Sequence, residues 1–241
     1  MKQETQEAVR FSSLCQKNGC LAIIVAAGQS SRMGGVDKLF APLGDKPVIA
    51  HTLLAYQACS AIDGIVVAAR ADRIPDVQQL CDQYEITKLR AIVAGGATRG
   101  ESVRAAVEAA GNDGRYFAIA DGARPLTTAE DIENTLEGAM RFGAAICAVP
   151  VTDTIKTVGE HLRITGTPDR ATLWAAQTPQ VFPAAAYRQA LALPDDYTDD
   201  SARMEAFGIS VAVVQGHYEN IKVTTPIDLV VAEAIWKERR L

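Results

Sequence analysis

The sequence predicts a three-layer α/β fold, a mostly parallel sheet with helices on both faces, from which a β-hairpin arm projects. Three observations carry this. Short apolar runs rich in β-branched residues alternate with segments of helical periodicity from residue 21 to residue 150. The first run, 21–25, offers no polar face, as a strand covered on both sides must read, and it closes in the small residues Ala26, Ala27 and Gly28. The alternation then breaks at 151–180, where 151–157 and 161–167 alternate polar and apolar side chains around Val158-Gly159-Glu160, with no crossover helix between them.

In order, the strand at 21–25 is followed by a helix over 46–59, its apolar residues at 49, 53, 54 and 58 and Pro47 in its first turn. A strand at 62–69, a helix at 76–84 and a strand at 89–94 follow, the last ending in Gly95-Gly96. Thr98-Arg-Gly-Glu101 is a capping box. Behind it Val103, Ala106, Val107 and Ala110 line one helical face, which stops at Gly111. A strand at 116–120 runs into Asp121-Gly-Ala-Arg-Pro125, Thr128 caps a helix reaching about Phe142, and 144–150 is a further strand. Residues 172–182 return from the arm to the body. Helices at 183–193 and 201–207, a strand at 209–214, a short strand at 220–223 and a helix capped by Thr225 and Asp228 complete the chain.

Composition narrows the function. The chain has 241 residues, 48% of them hydrophobic, enough for a full core, and a formal net charge of -5, which argues against a protein that grips nucleic acid. No apolar run approaches the roughly 20 residues of a membrane span. Residues 1–20 carry charges throughout and read as a mobile N-terminal extension rather than a secretory signal; residues 21–241 read as one domain. The five cysteines include no C-x-x-C pair and the three histidines are scattered, which leaves no zinc pattern and fits reduced thiols in the cytoplasm.

In an open α/β sheet, ligands gather outside the carboxyl ends of the strands. The residues at those ends are the small loop at 26–28 with Ser30, Ser31, Arg32, Gly34, Gly35 and Lys38, then Gly95-Gly96, then Asp121 to Arg124. Two cations and backbone N–H groups form a cradle for a polyphosphate, although neither the dinucleotide fingerprint nor the P-loop pattern is present. An Asp at a strand end can hold Mg²⁺ on a triphosphate, and Arg124 can hold an anion. Each feature also has a plain reading: an ordinary turn with solvated cations, a surface Asp121–Arg124 pair, a solvated Lys222, a local Asp169–Arg170 ion pair, a packing role for Trp174, and a helix start at Thr198-Asp-Asp200.

Taken together, Val25-Ala-Ala-Gly28, Arg32-Met33, Asp37-Lys38, Gly95-Gly96, Ser102, Asp121-x-Ala-Arg-Pro125, Pro150-Val-x-Asp-Thr-x-Lys156, Asp169-Arg170, Leu173-Trp-x-x-Gln-Thr-Pro-Gln180, Thr198-Asp-Asp-Ser201 and Asn220-Ile-Lys-Val-Thr-x-Pro-x-Asp-Leu229 resemble the 2-C-methyl-D-erythritol 4-phosphate cytidylyltransferase family over about 22–235. The resemblance implies a Rossmann-like nucleotidyltransferase fold. It implies a reaction in which CTP and the methylerythritol phosphate give the CDP-linked alcohol and pyrophosphate, in the non-mevalonate isoprenoid pathway.

The resemblance also distributes roles. Catalysis falls to Arg32, Lys38, Arg170 and Lys222. CTP is held by Ala26, Ala27, Gly28, Arg32, Lys38, Gly95, Gly96, Ser102 and Asp121. The alcohol phosphate is held by Asp121, Arg124, Thr154, Arg170, Thr198 and Lys222, and Mg²⁺ or another divalent cation meets Asp121 on the CTP. It further implies a homodimer through the 151–180 arm, with Arg170 reaching a partner's site. Gly122 and Ala97 depart from the family's usual Ala and Asp. The rival expectations are a ribitol-5-phosphate cytidylyltransferase and, from another class, an NAD(P)-dependent oxidoreductase; the latter lacks its first-loop glycines and an acidic residue closing the second strand, which here ends in Ala68-Ala69-Arg70.

Overall fold

The structure is a computed structural model and describes residues 19–28, 37–194 and 197–239. Ser30, Ser31, Arg32, Gly34 and Gly35 lie outside the described residues, as do 1–18 of the expected extension.

The elements run β1 (Cys20–Ala26), β2 (Pro42–Leu43), β3 (Lys46–Pro47), α1 (Val48–Ala58), β4 (Gly64–Ala69), α2 (Ile74–Gln83), β5 (Leu89–Ala94), α3 (Arg99–Ala109), β6 (Tyr116–Asp121), α4 (Ala129–Phe142), β7 (Ala145–Pro150), β8 (Thr157–Val158), β9 (Ile164–Gly166), β10 (Trp174–Pro183), α5 (Ala184–Ala190), α6 (Asp200–Ala206), β11 (Ala212–Gln215) and α7 (Pro226–Glu238). Among the described residues the main sheet has the order β11-β7-β10-β6-β1-β4-β5. Its pairings are parallel except where β10 runs antiparallel between β6 and β7.

The apolar run of β1 sits inside the sheet between β6 and β4, and its alternate residues feed both faces, as the two-residue period of a strand requires. Ala22 and Ile24 pack with Ile49, Leu53 and Tyr56 of α1 and Ile132 and Leu136 of α4. Leu21 and Ile23 pack with Val103, Ala106 and Val107 of α3 and Tyr187 of α5. The predicted three layers are thus present, and the capping boxes at Thr98 and Thr128 start α3 and α4. A third, smaller cluster of Leu43, Val48, Leu126, Val223 and Ala232 docks α7 on the β2–β3 hairpin and so fixes the backbone next to Lys222.

Four expectations are corrected. The arm is less regular than its polar–apolar alternation predicts, because only Thr157 and Val158 pair with 164–166. Its turn is wider, closed by Gly159 N–H to Arg163 O at 2.9 Å, with His161 and Leu162 at positive φ. Residues 151–156 form no ladder; they are tied to the returning strand by Val151 N–H to Leu173 O at 3.0 Å and by Arg170 donating to Thr152 O at 2.7 Å. The segment at 220–223 is not a strand: it passes the loop after β6 and makes one backbone bond there, Val223 N–H to Ala123 O at 2.8 Å. Trp174 is not a packing residue in this chain, being 41% exposed. No Asp169–Arg170 ion pair forms; Asp169 instead accepts from Ala171 N–H at 3.0 Å.

The start of α4 has a second anchor. Asp131 accepts from Thr128 through Oδ2, while His217, in the segment after β11, lies 2.8 Å from its Oδ1. The hydrogen bond to Asp131 raises the His217 pKa, burial opposing it. A raised imidazole stabilises the fold fully below the unfolded value, about 6.5, and the contribution is lost as pH rises through the folded value. The stability advantage of the natural chain over His217→Gln, from urea denaturation at a series of pH values, is therefore expected to be largest below about pH 6.5 and to shrink on going alkaline. An advantage that grows with pH contradicts the assignment.

Candidate active site

The small residues after β1 let a neighbouring strand end close in. A Cβ on Gly95 would stand 2.2 Å from Ala27 Cβ and 2.7 Å from Ser102 Oγ, so only glycine fits where β5 turns into α3. The turn is laced by side chains. Ser102 Oγ accepts from Gly96 N–H at 3.2 Å and donates to Thr98 O at 2.9 Å. Glu101 accepts from Ala97 N–H at 2.6 Å and Thr98 N–H at 3.1 Å. The N–H groups of 96 to 98 are therefore already bonded within the protein, and the Ala97 departure leaves this backbone geometry in place.

Asp121 ends β6 and is 8% exposed. Its N–H donates to Thr178 Oγ1 at 3.1 Å. Its Oδ2 lies 3.0 Å from Lys222 Nζ and 3.5 Å from Arg124 Nε, and its Oδ1 lies 4.0 Å from Arg99 Nε. Burial pushes the Asp121 carboxyl up, but Lys222, Arg124 and Arg99 outweigh it and hold the pKa below the ordinary value. Burial lowers Arg124, with Asp121 opposing. Arg99 is also disfavoured by burial, yet Asp200 and Asp121 raise it above its ordinary value. The surface Asp121–Arg124 pair is thus a buried one, and Lys222, its side chain 39% exposed, is tied to Asp121 and not simply solvated.

Lys222, Asp121 and Arg99 open onto a cleft of about 470 Å³ at the carboxyl ends of the strands, lined also by Val25, Ala26, Ala27, Gly28, Lys38, Leu39, Gly96, Ala97, Thr98, Ser102 and Ala123. Three cations face one carboxylate across this lining, a balance suited to an anion. Of the residues expected in the site, the fold brings Ala26, Ala27, Gly28, Lys38, Gly96, Ser102, Asp121 and Lys222 to this cleft. Gly95 lies against Ala27 and Ser102. Arg124, 8% exposed, gives its guanidinium to Asn220 O at 2.5 Å and Ala176 O at 3.5 Å and does not line the cleft. Thr154 and Arg170 are exposed on the arm, and Thr198 is exposed before α6; none of the three lines the cleft of its own chain. Arg32 lies outside the described residues.

Sequence reasoning missed Arg99, the first residue of α3, whose only signal was its place inside the capping box. It also missed Asn220, which is fully buried and donates to Thr178 O at 2.9 Å while its Oδ1 accepts from Thr127 Oγ1 at 3.0 Å. Asn220 holds at once the carbonyl of the residue that anchors Asp121 and the segment that presents Lys222.

Asn220→Ala leaves the buried Thr178 carbonyl unpaired, whereas Thr127 Oγ1 keeps its bond to Arg124 O, and it is expected to cost about 1–3 kcal/mol of stability. It should also reduce turnover more than Thr127→Ala, which breaks one of the same bonds away from Asp121. Urea denaturation and initial rates check both; equal rates for the two variants contradict the anchoring role.

The sequence comparisons agree with this geometry. Residues 20–238 match the profile of the family IspD: 2-C-methyl-D-erythritol 4-phosphate cytidylyltransferase. The chain is 45% identical over 225 residues to the 2-C-methyl-D-erythritol 4-phosphate cytidylyltransferase of Halalkalibacterium halodurans, covering 90% of this chain and 98% of that one. It is 41% identical over 224 residues to the enzyme of the same name from Alkaliphilus metalliredigens, covering 90% and 93%. Among solved structures, 4-diphosphocytidyl-2C-methyl-D-erythritol synthase from Anaerococcus prevotii superposes with a TM-score of 0.81 at 29% identity, covering 91% of this chain and 99% of that chain. The Thermus thermophilus 2-C-methyl-D-erythritol 4-phosphate cytidylyltransferase gives 0.73 at 29% identity, covering 89% and 98%. With nearly its whole length matched at this level, the chain belongs to the 2-C-methyl-D-erythritol 4-phosphate cytidylyltransferase family.

Proposed function

We propose that the protein transfers the cytidylyl group of CTP to 2-C-methyl-D-erythritol 4-phosphate, releasing pyrophosphate, as a step of non-mevalonate isoprenoid synthesis. The observation that carries the reading is the meeting of Lys38, Lys222 and Asp121 in one cleft beside the small-residue end of β1, in a chain of this family. A phosphate oxygen of the acceptor attacks the α-phosphorus of CTP in line. A new P–O bond forms, the bond to the bridging oxygen breaks, and pyrophosphate leaves with its electron pair. Charge spreads over the phosphoryl oxygens, so fixed cations and positioning supply most of the catalysis. Lys38 and Arg32 are the cations proposed for that charge. Ala26, Ala27, Gly28, Gly95, Gly96 and Ser102 form the nucleotide side. Lys222 and Asp121 stand where the two substrates meet, with Arg124 setting Asp121 from behind.

A divalent cation fits this donor set only as a passenger on the triphosphate. Among the described residues no group of three or more His, Cys, Asp or Glu side chains could hold a metal by itself, whereas Mg²⁺ commonly binds one carboxylate plus substrate phosphates. Asp121 would be that carboxylate. The ion would neutralise phosphate charge.

Thr154 and Arg170 serve a neighbouring protomer's cleft in this reading. The arm that carries them exposes Ile155 at 38%, Val158 at 51%, Leu162 at 90% and Ile164 at 63%, an apolar surface that a second copy would cover. Thr198, in the loop before α6 and outside the cleft lining, is assigned to the acceptor by the family resemblance alone. No helix among the described residues is long and apolar enough to cross a membrane. The buried thiols of Cys59 and Cys147, pushed by burial up to about 12, fit a reducing cytoplasm.

Purified protein given CTP and the methylerythritol phosphate should release pyrophosphate and make the CDP-linked alcohol, with ribitol 5-phosphate a much poorer acceptor; preference for ribitol 5-phosphate overturns the acceptor assignment. Lys38→Ala should lower kcat by roughly 10²–10³ while changing CTP affinity far less, as expected of a cation that acts on transition-state charge. Equal losses in rate and affinity contradict that role. Mixing Arg170→Ala with Lys38→Ala protein should recover about a quarter of the natural rate, because half the dimers are hybrids and each hybrid holds one intact site. Absent recovery despite demonstrated subunit exchange argues for self-contained sites.

A further inference from the structure

Asp121 has two oxygens in unequal situations. Oδ2 is taken up by Lys222 at 3.0 Å and Arg124 at 3.5 Å. Oδ1 has Arg99 Nε at 4.0 Å, about one ångström beyond a close charge-assisted contact. The Arg99 guanidinium spans the gap between two carboxylates, and its other edge is engaged: Nη2 lies 2.6 Å from Asp200 Oδ2.

Asp200 cannot follow Arg99 into the cleft. It is the first residue of α6 and its side chain is 3% exposed. Its Oδ1 accepts from the hydroxyl of Tyr187, a fully buried ring stacked on Phe182 with centroids 5.3 Å apart. The residue before it, Asp199, caps α6 by accepting from Ala202 N–H at 2.9 Å and from Gln180 Nε2 at 2.9 Å. The anchored carboxylate therefore decides where a long, flexible arginine comes to rest.

We infer that Asp200 is a positioning residue for the cleft: by retaining Arg99 it keeps that guanidinium from closing on Asp121, and so leaves Asp121 Oδ1 open to the substrates. This rests on the reading that Asp121 serves the cytidylyl-transfer site. Three consequences are specific. Neutralising Asp200 is harmful because it releases Arg99, not because a helix start is lost. Removing Arg99 from that background relieves the harm. A lysine at 99 still pairs with Asp200 and has no second donor edge to offer Asp121.

The test is steady-state kinetics with CTP and the methylerythritol phosphate on the full chain, with thermal unfolding of each variant alongside. Asp200→Asn keeps the size of the side chain and an acceptor for Tyr187. Its kcat/KM is expected to fall roughly 10- to 100-fold, the scale of a misplaced active-site group. Asp200→Asn with Arg99→Gln should be several-fold more active than Asp200→Asn alone. A purely structural role predicts the opposite order, since the double variant loses more contacts. Arg99→Lys, which keeps a charge in the cleft and the pair with Asp200, should lose less activity than Asp200→Asn. Full activity of Asp200→Asn, a double variant no better than it, or a loss in Arg99→Lys as large as that of Asp200→Asn overturns the inference. Should Asp200→Asn fail to fold, Asp200→Ser alone and with Arg99→Gln make the same comparison, and a double variant no better than the single one overturns the inference. A natural chain that releases no pyrophosphate would instead refute the functional reading itself.

Discussion

The structure depends on a buried carboxylate whose charge burial alone disfavours. Asp121 stays ionised because cations from three separate parts of the chain converge on it: Arg124 three residues on, Arg99 at the start of α3, and Lys222 just before α7. Breaking such a cluster by removing one partner is costly, typically about 3–5 kcal/mol, because the remaining charge is left uncompensated. The same arrangement orders the cleft. Each cation is held by an element that other packing has already fixed, so the position of Asp121 reports the assembly of β6, α3 and the segment before α7 together.

Beneath this cluster the core is polar where a sheet interior is ordinarily apolar. Gln177, Thr178 and Gln180 on β10 are buried, and each has a partner: Gln177 donates to His217 O at 3.0 Å, Thr178 accepts from Asp121 N–H at 3.1 Å, and Gln180 donates to Asp199 at 2.9 Å. The ladder between β10 and β7 shifts register between Ala176 and Gln180, which frees these side chains for such contacts. A satisfied network of this kind fixes one geometry, since any displacement strands a buried donor or acceptor. Here that geometry joins the cleft at Asp121 to the start of α6 at Asp199 and Asp200.

The arm follows the opposite principle. It has a short ladder, few tertiary contacts of its own and several large apolar side chains in water. The proposed homodimer would cover these side chains and bring Arg170 and Thr154 to a neighbour's site.

The sequence by itself determined the three-layer alternation, the buried character of β1, the capping boxes of α3 and α4, and the gathering of the loop after β1, Gly95-Gly96 and Asp121 at one edge of the sheet. These follow from period, propensity and topology, which are local or nearly so. Only the tertiary structure decided what Lys222, Arg124, Arg99 and Asn220 touch, that the arm pairs over so short a stretch, and that 220–223 is not a strand. A long charged side chain looks the same in a sequence whether it is solvated or buried. Lys222 is 101 positions from Asp121 and Arg99 is 101 from Asp200, so their pairing exists only once the sheet has brought those segments to one edge, where the low dielectric makes each partner necessary to the other.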